Sequence, residues 1–437
     1  MLLDRVFRLS ENNTNVKTEV LAGLTTFMTM GYVIFVNPGI LADAGIPFDA
    51  ALFATCVSAA IATLIMAFSA NYPIALAPGM GLNAYFAYTA VPYIAAVTGS
   101  DQAWKIALGA VFFSGCIFML LTFTRIRVMI INAVPQAIKV GIAAGIGIFI
   151  AMIGLQYAGI IVANESTMVW LGNLKAPTTL LSCFGLVLTS VLMVRRVRGA
   201  ILIGIIVTTL VGIAFKIIPV PDRLVGMPQA GTTFLALDLK GALKLGFLNV
   251  IFVFLFIDLF DTMGTLVGVG ERGGFMVDGK LPRANRALLA DAGGTIVGSA
   301  LGTSTVTSYI ESAAGISEGG RTGLTAVVVA LLFAAFIFIG PAAAMVPRAA
   351  SAPALILVGS LMMSVVCKIR WDTPDESIPA FLTMIAVPLT FSIANGIAIG
   401  FISYPLVKAF SGRWKDVSVI VYVLAALFIV RFAMLTF

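Results

Sequence analysis

Residues 251–270 read IFVFLFIDLFDTMGTLVGVG, and residues 300–315 read ALGTSTVTSYIESAAG. The first stretch is apolar and long enough to cross a bilayer, yet it carries two carboxylates, Asp258 and Asp261. The second is a Gly/Ser/Thr-rich break at membrane depth, and it carries Glu311. An Asp near the bilayer centre costs about 2.5–3.5 kcal/mol on insertion scales. Acidic residues are retained there when they face a partner, a cavity or a substrate path. The spacing of these three groups therefore sets what the remaining segments must enclose.

Composition places the chain in a membrane. Its 437 residues are 60% hydrophobic and 11% charged, with mean hydropathy +1.06. Soluble domains carry about 25% charged residues. An all-α polytopic membrane protein follows, with lipid as a partner. The net charge of +7 does not point to nucleic acid, because the basic residues cluster in short loops, as the positive-inside rule expects. These clusters are Arg125/Arg127, Arg195/Arg196/Arg198, Arg272/Lys280/Arg283/Arg286, Arg321 and Lys368/Arg370, and they predict a cytoplasmic N-terminus in the cell membrane. The start, MLLDRVFRLSENN, has no cleavable apolar core, so no signal peptide is expected. Cys56, Cys116, Cys183 and Cys367 lie in or beside apolar segments and form no CxxC pair, so neither a disulfide framework nor a zinc site is indicated. There is no histidine. Any proton chemistry must therefore run on carboxylates, and no metal or cofactor is expected.

The first apolar span is Glu19–Val36, predicted to end at Asn37-Pro38, and Ala51–Ala70 is the second. The third, Tyr72–Val97, holds Pro73, Pro78, Gly79 and Gly81, which forbid one regular helix. An extended piece followed by a half-helix from about Gly79 is expected. Trp104–Phe123, Ile131–Tyr157, Leu180–Val194 and Ala200–Ile217 complete a first half, residues 1–217. A polar connection with Pro219, Pro221 and Pro228, residues 218–244, leads to a second half, residues 245–437. That half contains Leu245–Gly270, Ala287–Leu301, the broken Gly302–Gly315, Thr322–Ile339 and Ser351–Val366. Ile378–Phe410 is one long segment or two short ones hinged at Asn395. The second choice puts Lys408, Arg413 and Lys415 inside and leaves Val417–Phe437 as a surplus element lying along the membrane.

The halves echo each other: a first span with Thr/Gly in its middle, a regular second, a broken third, a clean fourth. ALAPGMGLNAYF (75–86) stands where ALGTSTVTSYIES (300–312) stands. Seven segments per half would invert the second, giving about fourteen in two inverted seven-segment repeats. Interrupted segments at matching positions are a pointer to a transporter site.

Asp258, Asp261 and Thr265 fall at i, i+3, i+7, one helix face. Two carboxylates one turn apart in low dielectric do not both ionise cheaply, so the pair is a candidate for binding and releasing a proton. Glu311 sits where a half-helix would begin, with free backbone N–H groups nearby. Asn83 holds the matching place in the first half. Thr26 and Thr29 line the site or merely pack. The bland alternative has the acids capping broken helices, or pairing with Arg286 or Arg321; for Asp258 it is a helix-to-helix hydrogen bond. Asp291 is open.

Three blocks, APGMGLNAYFAY, DLFDTMGTLVGV and GTSTVTSYIESAAGISEGGRTGLTA, resemble signatures of the hypoxanthine/guanine/adenine permease branch of the nucleobase:cation symporter-2 family. The opening TEVLAGLTTFMTM and the late FSIANGIAIGFISY extend the likeness over essentially the whole chain. The resemblance implies fourteen segments forming a core domain (1–4 and 8–11) and a gate domain (5–7 and 12–14). It implies that segments 3 and 10 are part strand, part half-helix, with substrate between them. It further implies proton-coupled import of adenine, guanine or hypoxanthine by an elevator-like shift. Asp261 and Thr265 match a Glu and a His of related uracil carriers, and Glu311 matches their substrate-facing Glu. The missing His shifts attention to Asp258 and Asp261 as the proton-coupling pair. Phe27 or Tyr85 would stack on the base, and Ile310 and Ser312, flanking Glu311, complete the expected lining. A homodimer is the assembly carried forward.

Two other classes compete. An anion carrier of similar architecture would want Arg or Lys, or bare helix N-termini, at the site, where this chain has three carboxylates. An intramembrane enzyme would want a nucleophile and base, and none is visible. Sodium as coupling ion would draw on Thr262 and Thr265 beside the acids.

Overall fold

The computed structural model describes residues 2–124, 129, 133–219, 225–226, 233–244, 250–277 and 281–434. Arg125, Arg127, Pro221, Pro228, Lys280 and residues 245–249 lie outside them.

A short helix α1 (Leu2–Phe7) precedes the first span, which is two helices, α2 (Val16–Met30) and α3 (Val33–Asp43). The chain breaks at Gly31-Tyr32, not at Pro38. Pro38 lies inside α3, because packed neighbours let a membrane helix lose one ladder bond without ending. Helix α4 (Phe48–Ser69) returns to strand β1 (Leu76–Pro78), then α5 (Met80–Tyr85), a π-helical stretch (Phe86–Ala90) and α6 (Val91–Thr98). The expected extended piece and half-helix are thus present, with Gly79 as the N-cap of α5. Helices α7 (Ala103–Phe123), α8 (Gln136–Tyr157), α9 (Pro177–Val194) and α10 (Ala200–Ala214) follow. Between α8 and α9 lies an exposed hairpin, β2 (Ile161–Asn164) and β3 (Met168–Leu171), which the apolar-span reading did not anticipate. Asn164 Oδ1 closes it by accepting from Ser166 N and Thr167 N, the local turn chemistry of Asn.

The connection contains α11 (Leu239–Lys244). Helix α12 (Phe252–Gly273) carries Asp258 and Asp261, and α13 (Ala284–Leu301) leads to β4 (Val306–Ser308) and α14 (Ser312–Ser317). Then come α15 (Gly323–Phe336), α16 (Gly340–Ala344), α17 (Arg348–Met362), α18 (Pro374–Leu389), α19 (Ile393–Phe410) and α20 (Val419–Met434). Among the described residues, nine spans are long and apolar enough to cross a membrane by length and composition.

Residues 378–410 take the two-segment form. The chain turns at Thr390–Ser392, with Phe391 at φ 50°, and Ser392 caps α19. The hinge is a few residues before Asn395, which falls in the first turn of α19. Lys408 at the far end of α19 is buried and bonds Asp375 at 2.8 Å; Arg413 joins the same carboxylate at 2.9 Å. Arg370 pairs with neighbouring Glu376. The basic residues after α17 and after α19 therefore share one end of the molecule. Helix α20 does not lie along the surface. Phe428 packs on Phe252, Phe256 and Phe401, and Arg431 reaches Asn395, so α20 runs antiparallel to α19 into the bundle.

Two packing groups emerge. Helix α8 packs on α17, α18 and α19, and α9 on α10 and α17. Helix α4 packs on α13 and α15, α7 on α13, and α2 on α14 and α15. At the centre of the second group β1 and β4 pair antiparallel, with Ala77 opposite Thr307. The outer edges of so short a ribbon would expose backbone groups that lipid cannot satisfy. One threonine on each side answers this. Thr63 of α4 bonds both N and O of Leu76, at 2.9 and 3.0 Å. Thr295 of α13 bonds both N and O of Val306, at 3.2 and 3.1 Å.

Candidate functional site

The site is built where β1 crosses β4. Gly79 N donates to Thr305 O and Tyr309 N to Ala75 O, both at 3.0 Å. Tyr309 Oη donates to Pro78 O at 2.6 Å. These bonds lock the two breaks together and fix Glu311, the N-cap of α14, at the end of the ribbon. Tyr32, at the break between α2 and α3, donates its hydroxyl to Glu311 Oε1 at 2.9 Å. Thr29 lies 3.4 Å from Glu311 O but bonds mainly to Thr26 O at 2.8 Å.

The structure divides the two aspartates of α12. Asp261 is only partly covered, as is Glu311. The two lie close enough to interact electrostatically, and Thr307 of β4 lies against Asp261. Asp258 is fully buried. Its Oδ1 lies 3.4 Å from Thr262 Oγ1, which is 2.8 Å from Asp291 Oδ1. Asp291 Oδ1 in turn accepts from Ser308 N at 3.2 Å. Asp291 thus fastens β4 to α12 and α13, and Asp258 belongs to that polar knot. Asp261 lies outside that knot, partly covered and near Glu311.

Asn83 is fully buried, and its Oδ1 accepts from Ser304 Oγ. Its Nδ2 has no partner among the described residues. A neighbouring chain of bonds joins Asn37 to Thr55 and Thr303. Ser312 is buried, and its Oγ accepts from Ala75 N at 3.0 Å, a tie between the two breaks. Ile310 is exposed and faces Gly268. Thr26 is buried against Gly315 of α14, an approach that only glycine permits, since a Cβ there would meet Ala22 O at 2.5 Å. Phe27 stacks edge-on with Phe333 and Phe336 of α15. Tyr85 packs on Phe254 and lines a separate cavity. Among the described residues, neither Arg286 nor Arg321 forms an ion pair. Arg286 reaches Ser69 O, and Arg321 reaches the carbonyls of Ile316 and Gly320.

Sequence reasoning missed Tyr32, Tyr309 and Thr307. Tyr32 had a signal, since Gly31-Tyr32 interrupts an otherwise helical run. Nothing local marked Thr307, whose role depends on the crossing.

A model described as the Permease family matches residues 17–399. A putative permease of Methanocaldococcus jannaschii is 54% identical over 436 residues, covering 99% of each chain. A guanine/hypoxanthine permease of Bacillus subtilis is 45% identical over 98% of this chain and 99% of its own length. An adenine permease of Escherichia coli is 45% identical over 98% and 96%. Among solved structures, the transmembrane domain of a cyanobacterium bicarbonate transporter superposes with TM-score 0.66 at 16% identity, covering 88% of this chain and 97% of that one. The murine Slc26a9 anion transporter, inward-facing, gives TM-score 0.66 at 12% identity, covering 90% and 68%. At these identities the structural likeness speaks for the fold alone. The sequence matches run through both strand breaks and the acidic helix between them, so the chain belongs to the nucleobase:cation symporter-2 family of permeases, multi-pass membrane carriers rather than enzymes.

Proposed function

We propose that this carrier imports purine nucleobases, adenine, guanine or hypoxanthine, together with protons, from a site formed by Glu311 and Asp261. The observation that carries the reading is the placement of these two carboxylates. They are partly exposed and close together at the crossing of β1 and β4, in a chain whose relatives are named for guanine, hypoxanthine and adenine. A purine edge presents N–H donors beside ring-nitrogen acceptors. A carboxylate accepts from the former, and a protonated carboxyl also donates to the latter. Asn83, with an unengaged Nδ2, supplies a neutral donor from the first half. Thr26, Phe27 and Ser312 act behind these groups, holding α2, β1 and α14 in place, and Ile310 stays exposed beside Glu311.

Proton coupling falls on Asp261, with Glu311 as its partner and Asp258 as support through Thr262. Loading one proton with the base lowers the charge that must cross the low-dielectric region. The fourteen segments group as core (α2–α7 with α12–α15) and gate (α8–α10 with α17–α19), and the N-terminus is cytoplasmic. The two packing groups and the paired threonine straps support that division. The core then shifts against the gate with the base seated on the strands.

The test is uptake of radiolabelled purines into sodium-free proteoliposomes under an imposed pH gradient. Accumulation driven by inward protons is expected, and Asp261→Asn should abolish uptake or its pH dependence. Accumulation only with sodium would overturn proton coupling. Absence of uptake for all three bases in active vesicles would overturn the substrate class.

A further inference from the structure

We propose that the cavity between α6, α19 and α20 is a binding site for a small monovalent anion of chloride size, held by the Arg431 guanidinium. The cavity is about 110 Å³ and is lined by Tyr85, Thr89, Tyr93, Ser392, Asn395 and Arg431. It is separate from the Glu311 site and owes nothing to the purine reading.

Arg431 is 4% exposed. Its Nε is buried with no acceptor among the described residues. Its only hydrogen bond there is a long one, Nη1 to Asn395 Oδ1 at 3.4 Å. Among the described residues no carboxylate pairs with it, and the groups that act on it electrostatically are the phenols of Tyr85 and Tyr93. The Phe432 ring, 5.8 Å from the guanidinium, gives partial cover at most. A buried cation left this way is costly unless something negative compensates it.

The other polar groups around the cavity point to the same sign of ligand. Neither Tyr85 nor Tyr93 spends its hydroxyl hydrogen on a partner among the described residues. Arg431 occupies Asn395 Oδ1, which leaves the Asn395 amide hydrogens to donate. Ser392 Oγ accepts from Asn395 N at 3.4 Å, which leaves its own hydrogen free. Thr89 is the exception: its hydroxyl donates to Phe391 O at 2.9 Å. Ser392 is also the N-cap of α19, whose positive dipole end faces the cavity. The donors outnumber the acceptors, and one guanidinium matches one negative charge. A divalent oxyanion would exceed that charge.

The experiment is thermal unfolding of the purified full chain in detergent, titrating chloride and bromide against gluconate at constant ionic strength. Parallel samples contain phosphatidylglycerol. Chloride and bromide should raise the Tm in a saturable way and gluconate should not. Tyr93→Phe should weaken the apparent Kd by about tenfold, and Arg431→Gln should remove the effect. Should Arg431→Gln fail to fold, the Tyr93→Phe shift and a bromide anomalous peak in the cavity decide the matter. Equal stabilisation by gluconate, a chloride effect that survives in folded Arg431→Gln, or no bromide peak would overturn the site. So would loss of the halide effect in phosphatidylglycerol, which would assign the guanidinium to a lipid phosphate.

Discussion

Among the described residues the side-chain hydrogen bond to Glu311 comes to one oxygen, Oε1, from Tyr32, beside its own backbone N–H. Hydrogen bonds to charged groups contribute about 1.5–3 kcal/mol, so Glu311→Gln should weaken purine binding by roughly 10–100-fold while the protein remains folded. Tyr32→Phe leaves the carboxylate in place and should cost less. Isothermal titration with purified variants checks both, and near-normal affinity in Glu311→Gln would remove that residue from the site. The acids of this site were legible because an apolar run containing an Asp is chemically conspicuous. Which acid faces the ligand was not legible. Asp258 and Asp261 share a helix face by spacing, but only the neighbouring elements decide that Asp258 joins Asp291 through Thr262 of its own helix while Asp261 lies against Thr307. A period of 3.6 names a face; it does not name what lies opposite.

Among the elements, the long spans followed from apolar run length, and the two broken ones from their Gly and Pro content. The end of α3 was misplaced because Pro38 looked like a terminator, whereas burial on all sides keeps the helix going. The hairpin β2–β3 escaped notice because four-residue strands in an exposed loop leave almost no periodic signal. Helix contacts in the α8 and α17 group rest on paired glycines. A Cβ added at Gly359 would run into the carbonyl oxygen of Gly147, so the backbones touch directly, as small residues allow in membranes. Gly359→Ala should therefore lower stability by about 1–3 kcal/mol through overpacking, measured by unfolding of the purified variant. A neutral result would mean that α8 and α17 are free to separate.

Across the whole molecule, two polar clasps join the helix groups. At one end Arg348 of α17 pairs with Asp43 of α3, while Tyr88 and Tyr157 donate to the same carboxylate at 2.8 and 2.6 Å. Near the other end of the first span, where Glu19 accepts from Arg321 N, Arg198 pairs with Glu318 at 2.7 Å. A cysteine placed at Ile310, labelled from each face of sealed vesicles, reports which end is open. Arg348→Gln should raise labelling from the Asp43 face, and Arg198→Gln from the opposite face. Equal labelling in both variants would show that the clasps do not hold the groups closed. Exposed pairs contribute about 1 kcal/mol or less, so the expected change is a shift in population and not a locked state.

The crossing of β1 and β4 also governs how the protein can be made. The groups it joins stand 221–237 residues apart in the chain. When the first half leaves the ribosome, its broken segment is already in the bilayer with one strand edge unpaired, and lipid offers nothing to pair it. Insertion of that half is therefore provisional until residues near 306 arrive. Residues 1–217 expressed alone should be degraded, and co-expression with residues 218–437 should restore both fragments to the membrane. A first half that accumulates stably by itself would mean that its exposed strand finds another partner during biogenesis.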